Sequence, residues 1–523
     1  MIDLLHYPVT VTGVLLFAHF VLRRFLSRSS RLPLPPGPKG YPIIGNILEI
    51  GQQEQPWVVY SDIAKEYGDM FMLKSLGTNV LVLSSHKVAN ELLEQRSTIY
   101  SGRPYLPMLC GQFYHRMKYD EYFANAQYGP VWRRRRRAFH QHLNPTVVHH
   151  HHHIIFGEAV QLLQDLAISP DRFRRHVQHY INRVIFRSFY GVKIAEQDDP
   201  YITLGMKTME GFIECGVPGT FLVDMIPALK YVPDWFPGTG WKRVAEYYRQ
   251  IAADARQEPW NNVVEKMKEG VAEPSIASAM IESMSPVGSP AREQEEDDAR
   301  DALGVGYVAG SDTTLAAALT FVLLMAKHPE VQKKAQDELD SVVGIGQLPS
   351  FEDKPKLIYI EAILRETMRW LRMVPLGLPH ATTEEDIYNG YVIPEGTIVV
   401  ANIYHMLNDP AAYDNPSEFI PERHIKDGKI DKDVLDPYAV FGFGRRICPG
   451  RHMALDTLYT LISSTLSMFD VSAPKDEDGN PSVKYSYPTR GAVISPNPFD
   501  CVIRPRSARH DEFLRTLDPS TKD

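Results

Sequence analysis

Residues 441–450 read Phe-Gly-Phe-Gly-Arg-Arg-Ile-Cys-Pro-Gly, and this stretch places one cysteine, Cys448, among residues that disfavour a helix. The glycines at 442, 444 and 450 allow unusual backbone angles, and the proline at 449 fixes its own. We therefore predict a tight, non-helical loop that presents the thiol. Backbone N–H groups of such a loop, together with nearby Arg446, would lower the pKa of the thiol and favour the thiolate.

The chain has four cysteines, at positions 110, 215, 448 and 501. No two of them form a Cys-x-x-Cys pair, so their spacing argues against a zinc site. Four cysteines in 523 residues do not make a disulfide framework either. The alternative interpretation of any one of them is a small, buried apolar side chain.

The composition is that of an ordinary globular protein, with 44% hydrophobic and 23% charged residues in a chain of 523. This length leaves ample room for a large core. The formal net charge of -8, from 56 basic and 64 acidic side chains, argues against nucleic acid as a partner. No internal repeat occurs, and no break divides residues 41–510 into independent domains.

The first 31 residues differ in character from the rest. An apolar run from Leu4 to Leu22 is followed by arginines at 23, 24, 28 and 31. Because about 20 apolar residues span a bilayer and flanking basic residues stay in the cytosol, we predict an N-terminal membrane anchor over residues 1–31. A cleaved signal peptide is the alternative, but its positive charges would precede the apolar run. Prolines and glycines then predict a stiff linker over residues 32–40.

A second apolar segment, Ala302–Met325, follows the acidic cluster Glu293–Asp298. Carboxylates are favourable near the positive end of a helix dipole, which predicts that a helix begins there. Asp312 in the middle of the segment argues against a membrane span, since a charge at the bilayer centre is costly. A helix that is apolar on all sides is more simply the central buried helix of a large domain.

Ala-Gly-Ser-Asp-Thr-Thr, residues 309–314, is the polar part of this segment. Gly310 would let a ligand approach the helix closely. Thr313 can hydrogen-bond its own backbone and loosen the helix locally, and Asp312 can relay protons from solvent. A polar patch that is satisfied locally is the structural alternative.

The pattern Phe-x-x-Gly-x-Arg-x-Cys-x-Gly of residues 441–450 resembles the haem-binding loop of the cytochrome P-450 family, and the resemblance extends in chain order across nearly the whole body. It implies the cytochrome P-450 fold, mainly α-helical with small β-sheets. It also implies one large haem domain over residues 41–510, followed by a polar C-terminal tail, 511–523. Cys448 would be the metal ligand, binding the iron of haem b (iron protoporphyrin IX) as a thiolate.

The same resemblance makes residues 309–314 the oxygen-activation segment, with Asp312 and Thr313 as catalytic residues. Glu366-Thr-Met-Arg369 matches a Glu-x-x-Arg motif of the family. With Arg423, this motif implies a buried ion-pair network behind the haem that holds the cysteine loop.

His424 stands where the family often has phenylalanine, which we interpret as a small departure. Haem carries two propionates, and arginine suits carboxylates because its donors form a planar fork. Five side chains match family positions that bind the cofactor: Arg103, Trp132, Arg136, His380 and Arg446.

Two conspicuous runs of identical residues each have an alternative interpretation without a specific function. Arg133–Arg137 are five consecutive arginines, of which a helix can turn only some toward the haem. The others could form a basic surface for an acidic electron donor, or simply a solvated face. His149–His153 could bind a metal adventitiously, and we predict no functional metal site there.

The implied activity is that of a monooxygenase, which inserts one atom of O2 into a lipophilic small molecule. Because no flavin or nicotinamide domain is recognisable, we expect electrons from a separate partner, an NADPH–cytochrome reductase flavoprotein. For a member anchored in this way we expect a monomer in the endoplasmic reticulum membrane, with the catalytic domain in the cytosol.

The segment from Gly216 to Gly238 resembles the substrate-roof region of fungal secondary-metabolite members, and its apolar, proline-rich composition suits a lipophilic ligand. We expect a terpenoid or related fungal natural product, in a pocket lined by Ala309, residues 377–378 and residues 492–494.

Several alternatives stay open at this point. A xenobiotic or fatty-acid hydroxylase would use the same chemistry on another substrate. A haem-thiolate isomerase or dehydratase would need no external electrons, and the Asp312–Thr313 pair argues against it. The third is a haem-binding or sensing protein without catalytic activity.

Overall fold

The computed structural model of the chain describes residues 32–42, 44–47, 50, 54–110, 117–216, 220–371, 373–489 and 491–517. The predicted membrane anchor, residues 1–31, lies outside the described residues. So do residues 217–219 of the predicted roof segment and residues 518–523 of the predicted tail.

The described α-helices, in chain order, are α1 Pro56–Tyr67, α2 His86–Ala89, α3 Ser97–Tyr100, α4 Pro107–Cys110, α5 Pro130–Leu143, α6 His152–Ile168, α7 Phe173–Tyr190, α8 Pro200–Cys215, α9 Leu222–Met225, α10 Trp241–Glu269, α11 Ile276–Ser283, α12 Pro290–Lys327, α13 Pro329–Val342, α14 Ile358–Leu371, α15 Ile403–Leu407, α16 Arg451–Met468 and α17 Ala508–Thr516. The strands are β1 Met70–Ser75, β2 Thr78–Leu83, β3 His380–Ala381, β4 Asp386–Tyr388, β5 Tyr391–Ile393, β6 Ile398–Ala401, β7 Ile425–Lys426, β8 Lys429–Ile430, β9 Phe469–Ser472 and β10 Val502–Pro505. The fold is therefore mainly helical with small sheets, as predicted.

Helix α12 is the centre of the molecule, and it contacts α5, α7, α8, α10, α14 and α16. It is the one described helix long and apolar enough to cross a membrane, and 72% of its apolar window is buried inside the fold. Tertiary packing therefore covers the surface that a bilayer would otherwise cover, as predicted for a central helix.

The N-terminus of α12 lies at the acidic cluster, as predicted. The helix begins at Pro290, a favourable residue for a first helical turn, and Glu293 of the cluster lies in that first turn. Asp298 pairs with Arg134 and Arg135 of α5, and Asp301 pairs with Arg256 of α10. These carboxylates tie α12 to two neighbouring helices.

The largest sheet has four strands in the order β1-β2-β6-β3. Strand β2 pairs antiparallel with β1 and parallel with β6, where Val80 lies opposite Ile398 and Leu83 opposite Ala401. Strand β3 adds His380 to the far edge of this sheet. The sheet therefore holds the segment around residues 377–381 against the helical body.

The cysteine loop consists of two short 3₁₀ turns, Pro437–Phe441 and Gly444–Arg446, and it leads directly into α16. Gly444 has a positive φ of 60°, and a Cβ atom there would lie 1.9 Å from the carbonyl oxygen of Leu93. Only glycine fits this contact, so the prediction of a tight, non-helical loop is confirmed.

The C-terminal helix α17 crosses the domain boundary predicted at residue 510. Leu514 is only 1% exposed, and α17 packs against α6. The Gln164 side chain of α6 donates to the backbone carbonyl of Leu517 at 2.6 Å. Residues 511–517 are therefore packed against the body rather than extended from it.

Candidate functional site

A largely apolar cavity of about 250 Å³ lies between α12 and the cysteine loop. Its wall contains every residue predicted to bind the cofactor, which are Arg103, Trp132, Arg136, His380, Arg446 and Cys448. Thr313 also lines the cavity, whereas Asp312 does not. Residues that are up to 345 positions apart in the sequence thus meet at one site.

The thiol of Cys448 faces the cavity at the start of α16. Burial raises its pKa, and the backbone N–H groups of Gly450 and Arg451 and the guanidinium groups of Arg136 and Arg451 oppose that shift. The prediction of a lowered pKa was therefore wrong, and so was the assignment of Arg446 as the nearby cation. The loop supplies the expected donors, but burial outweighs them while no metal charge is present.

Arg446 points away from the thiol. Its guanidinium donates to the carbonyl oxygens of Ser101, Phe123 and Ala126 and lies over the ring of Trp132, 4.7 Å from the ring centroid. Burial lowers its pKa to about 8, with further lowering by the neighbouring guanidinium of Arg103 and that of Arg136. This side chain is fixed by carbonyl groups in an electropositive environment.

Arg446 shares the cavity wall with two further arginines, the buried Arg103 and the half-buried Arg136. Burial also lowers the pKa of Arg103 and the pKa of Arg136 to about 10. Arg103 donates to the carbonyls of Ala124, Leu378 and Pro379. Among the described residues no carboxylate forms an ion pair with any of the three arginines, so an anionic group in the cavity would relieve their mutual repulsion.

His380 has its ring orientation fixed by a carbonyl group. Its Nδ1 donates to the backbone oxygen of Tyr100 at 2.7 Å, since a carbonyl can only accept. Burial, together with the positive charge of Arg103, lowers the pKa of His380 to about 3. The imidazole ring of His380 is therefore neutral and carries its proton on Nδ1. Nε2 could donate a hydrogen bond to a carboxylate only if that carboxylate raised the pKa of the ring enough to protonate it.

The two predicted catalytic residues of α12 differ in their position relative to the cavity. Thr313 Oγ1 donates to the carbonyl of Ala309 at 2.8 Å, as predicted, and it faces the cavity. Asp312 lies beside the cavity, and burial raises its pKa to about 6. No hydrogen bond joins its carboxylate to another described residue, so it can change protonation near neutral pH without breaking an ion pair.

The Glu-x-x-Arg motif lies in α14 and forms the predicted buried network. Arg369 donates to both carboxylate oxygens of Glu366 at 2.8 Å, and Arg423 donates to one of them at 3.1 Å. His424 adds a fourth member, because its Nε2 lies 2.9 Å from the second oxygen. Burial would raise the pKa of Glu366, but these donors hold it at about 2.

This network also holds the backbone behind the cysteine loop. Arg369 donates to the carbonyls of Leu407, Pro416 and Glu418, and α14 packs directly on the Pro437–Phe441 turn. The sequence indicated Arg423 but not the role of His424. The direct adjacency of the two residues in a short turn was the available signal.

Comparisons with known proteins agree with this geometry. The family model for cytochrome P-450 matches residues 35–501, which is most of the chain. The chain belongs to the cytochrome P-450 family. It is a cytochrome P-450 monooxygenase, and the cofactor of its family is haem iron.

The relatives are fungal proteins of similar length. Cytochrome P-450 monooxygenase COX1 of Coprinopsis cinerea is 40% identical over 490 residues, which cover 92% of this chain and 93% of the relative. Tryptamine 4-monooxygenase of Psilocybe cyanescens is 37% identical over 496 residues, with 94% and 96% covered. Cytochrome P-450 monooxygenase ple1 of Rhodocybe pseudopiperita is 38% identical, with 92% and 91% covered.

The cavity of this P-450 fits a haem by its donor set. Haem brings two carboxylates and an iron that accepts a thiolate. The wall offers one cysteine and three guanidinium groups that form no ion pair with a carboxylate in the described part of the chain. The mainly apolar remainder of the wall suits a flat macrocycle. The residues of the cavity thus match the chemistry of the group that the family implies.

The arginine run of the P-450 points in three directions. Arg134 and Arg135 pair with the carboxylates of α12, and Arg136 faces the cavity. Arg133 and Arg137 are exposed. The arginine run therefore serves three environments: one arginine faces the cavity, two form ion pairs with α12 and two are exposed to solvent.

The histidine run has ordinary structural contacts. His152 lies 2.9 Å from a carboxylate oxygen of Asp456, and its ring stacks on Phe351. Burial lowers the pKa of His151 to about 4. No group of three or more potential metal ligands occurs among the described residues.

The predicted pocket-lining positions are only partly correct. Ala309, Gly377 and Leu378 line the cavity, but residues 492–494 do not. The backbone N–H of Ile494 instead donates to the carbonyl of Met373, which is itself part of the wall. Residues 492–494 therefore support the cavity from behind.

Proposed function

We propose that this P-450 inserts one oxygen atom from O2 into a lipophilic natural product, of the terpenoid or a related class. It would take electrons from a separate NADPH–cytochrome reductase flavoprotein. The observation that carries the proposal is the convergence of Cys448, three arginines and Thr313 on one apolar cavity. The fungal relatives of the same length support it.

The proposal assigns a task to each wall residue that was predicted to bind the cofactor or its iron. Cys448 would bind the iron as a thiolate, and the guanidinium groups of Arg136 and Arg451 would stabilise its negative charge. Arg103, Arg136 and Arg446 would hold the propionates, and Trp132 packs against the guanidinium of Arg446. When bound, haem supplies the activation of O2 by iron, and the thiolate adds electron density.

We assign proton delivery to two residues of α12. Thr313 holds its hydroxyl at the cavity through the bond to Ala309, and Asp312 stands next to it with a pKa of about 6. A carboxyl group in this range both takes up and gives up protons near neutral pH. We assign Asp312 as the group that exchanges protons with solvent, and Thr313 as the group that passes them into the cavity.

The reductase would dock where the cysteine loop meets the surface. Arg133 and Arg445 both lie over the ring of Tyr128, at 5.2 and 5.3 Å from its centroid, and Arg137 is exposed one turn further along α5. This basic cluster suits an acidic flavoprotein surface, and its attraction would weaken with salt.

The roof segment supports the proposal of a membrane-associated enzyme in the endoplasmic reticulum. Leu222 and Tyr231 are about two-thirds exposed, and Trp235 is 80% exposed. Ile226 and Phe236 of the same segment are about half exposed. Such a patch is favourable against lipid, and it would add to the anchor proposed for residues 1–31. In this proposal the chain is a monomer and its catalytic domain faces the cytosol.

The test of the cofactor site is spectroscopic. The reduced, CO-bound protein should show the absorption of a thiolate-ligated haem, and Cys448→Ala should abolish it. Cys501→Ala is the matched control, because this cysteine lies outside the cavity wall. A spectrum typical of histidine ligation in the wild type would refute the assignment of Cys448.

The test of the reaction uses the same protein with reductase, NADPH and labelled O2, incubated with extracts of its native organism. We expect a product that carries one labelled oxygen atom. A product without label, formed without NADPH, would establish an isomerase or dehydratase instead. NADPH-dependent oxidation of fatty acids or xenobiotics alone would replace the proposed substrate class.

A further inference from the structure

A second cavity, of about 590 Å³, lies beside the four-stranded sheet. Much of its wall is hydrocarbon, contributed by Ile47, Ile50 and Leu106, by Val80 of β2 and by Ile398 of β6. A concave space of this size with a mainly apolar wall is typical of sites that take up small molecules or hydrocarbon chains.

The polar side chains of this wall bond mainly to the protein itself. Gln127 accepts from the backbone N–H of Arg103 and donates to its carbonyl, and the guanidinium of Arg103 donates to three other carbonyls. Thr382 and Thr383 each donate to a main-chain carbonyl. Asp224 accepts from a main-chain N–H through Oδ1, and its Oδ2 has almost no accessible surface. An occupant of the cavity must therefore be recognised chiefly by apolar contact.

The cavity opens to the surface beside the roof segment. Tyr105 belongs to the wall and is 47% exposed. The ammonium group of Lys230 lies 5.9 Å from the ring centroid of Tyr105 and 5.1 Å from that of Tyr231, which is 66% exposed. Helix α9 of the roof segment also packs against α4, which follows Tyr105 in the chain. The opening therefore lies at the edge of the surface that we propose to contact lipid.

The chain that follows the proline-rich linker borders the same cavity. The backbone N–H of Asn46 donates to the carbonyl of Lys74 in β1, which fixes this part of the chain against the sheet. Ile47 and Ile50 come directly afterwards and line the cavity. The two parts of the protein that we propose to meet the bilayer, the anchor with its linker and the roof segment, thus border one apolar space.

We propose that the second cavity takes up one acyl chain of a bilayer phospholipid, with the phosphate of its head group near Lys230. The wall provides apolar contact for the chain, and a lysine at the opening complements the charge of a phosphate. This inference rests on the membrane association in the proposed function and adds a lipid-binding site to it. The site has no part in the oxygen chemistry.

The test uses the full-length, haem-loaded protein in nanodiscs of phosphatidylcholine. A trace of the same lipid carries a photoreactive diazirine at the end of one acyl chain, and illumination marks the residues that the chain end contacts. Peptide mass spectrometry then locates the label. We expect label at Val80 and Ile398, which lie opposite each other in β2 and β6, in addition to label in residues 1–31 and in the roof segment.

Ile398→Asp gives the decisive comparison, because it places a carboxylate in the wall where the hydrocarbon chain would lie. The label at Val80 should fall about tenfold, since the chain would have to desolvate that charge, while the label in residues 1–31 should not change. Ile345→Asp is the matched control, because Ile345 is 54% exposed and lies outside the cavity wall. Ile398→Trp narrows the cavity with a residue that suits a strand, and it should lower the same label if Ile398→Asp does not fold.

Label confined to residues 1–31 and the roof segment would overturn the acyl-chain site while leaving the membrane association intact. Label at Val80 that is unchanged in the folded variants of Ile398 would also overturn it. Displacement of that label by excess farnesol would overturn it in favour of a substrate site. The CO spectrum of the same samples reports separately on the haem-thiolate site, so failure of this inference and failure of the proposed function can be distinguished.

Discussion

Glu366 shows how a single buried charge organises this protein. The carboxylate is completely buried and has three donors, Arg369, Arg423 and His424, which keep it ionised. Burial without these partners would cost several kcal/mol. The fixed charge then orients Arg369 toward the backbone carbonyls behind the cysteine loop. The network matters because it determines where a backbone segment lies.

Thr313 permits a test at the same scale. Thr313→Ala removes the hydroxyl that faces the cavity and leaves the backbone of α12 intact, since alanine favours a helix. We expect an unchanged CO spectrum but a several-fold larger share of NADPH consumption ending as peroxide, with correspondingly less oxidised product. Peroxide and NADPH are measured together in the reconstituted system.

Thr313→Ser retains the hydroxyl and is the matched control, so it should stay close to the wild type. Unchanged peroxide release in Thr313→Ala would show that the hydroxyl does not carry protons, and the assignment of Asp312 as the solvent-facing partner would lose its support.

At the scale of elements, α12 approaches its neighbours through glycines. A Cβ atom at Gly306 would lie 2.5 Å from the ring of Phe139 in α5 and 2.6 Å from the ring of Phe189 in α7. The two rings are in contact with each other, edge to face. Three helices therefore meet where α12 has no side chain, at one edge of the haem cavity.

Gly306→Ala should destabilise the protein by about 1–3 kcal/mol, because two packed aromatic rings must move to admit a methyl group. Thermal unfolding followed by circular dichroism measures the effect. Gly129→Ala is the control, since a Cβ there would meet no atom within 4 Å. Equal melting temperatures of both variants and the wild type would mean that the three helices are less closely packed than described.

At the scale of the whole molecule, the C-terminal helix closes the domain. Leu514 buries its side chain against the body, while Glu512 of the same helix is exposed. Leu514→Ala should cost about 2–5 kcal/mol by leaving a cavity, and Glu512→Ala should cost little. A melting temperature unchanged by Leu514→Ala would restore the interpretation of residues 511–517 as a separate polar tail.

Much of the candidate site could be predicted because local pattern and chemistry agree there. The cysteine loop needs glycine at position 444 because a Cβ atom there would clash with the backbone of Leu93. Glu366 and Arg369 lie on one face of their helix because they are three residues apart. The position of α12 follows from its apolar composition. Each of these predictions depends on residues that are close together in the sequence.

Other features depended on distant residues and could not be predicted. The distant cation beside the thiol is Arg136 of α5, whereas Arg446 of the loop itself points away from it. The role of His424 requires the position of α14. No local pattern contains this information.

The sequence alone determined the family, the tight cysteine loop and the mainly helical fold, because these follow from loop conformation, helix spacing and apolar composition over short stretches. Only the tertiary structure decided which charges lie together and which polar groups remain unpaired. The physical reason is burial: the pKa of Cys448 and that of Asp312 are both raised by desolvation, and desolvation depends on the packing of elements far apart in the chain.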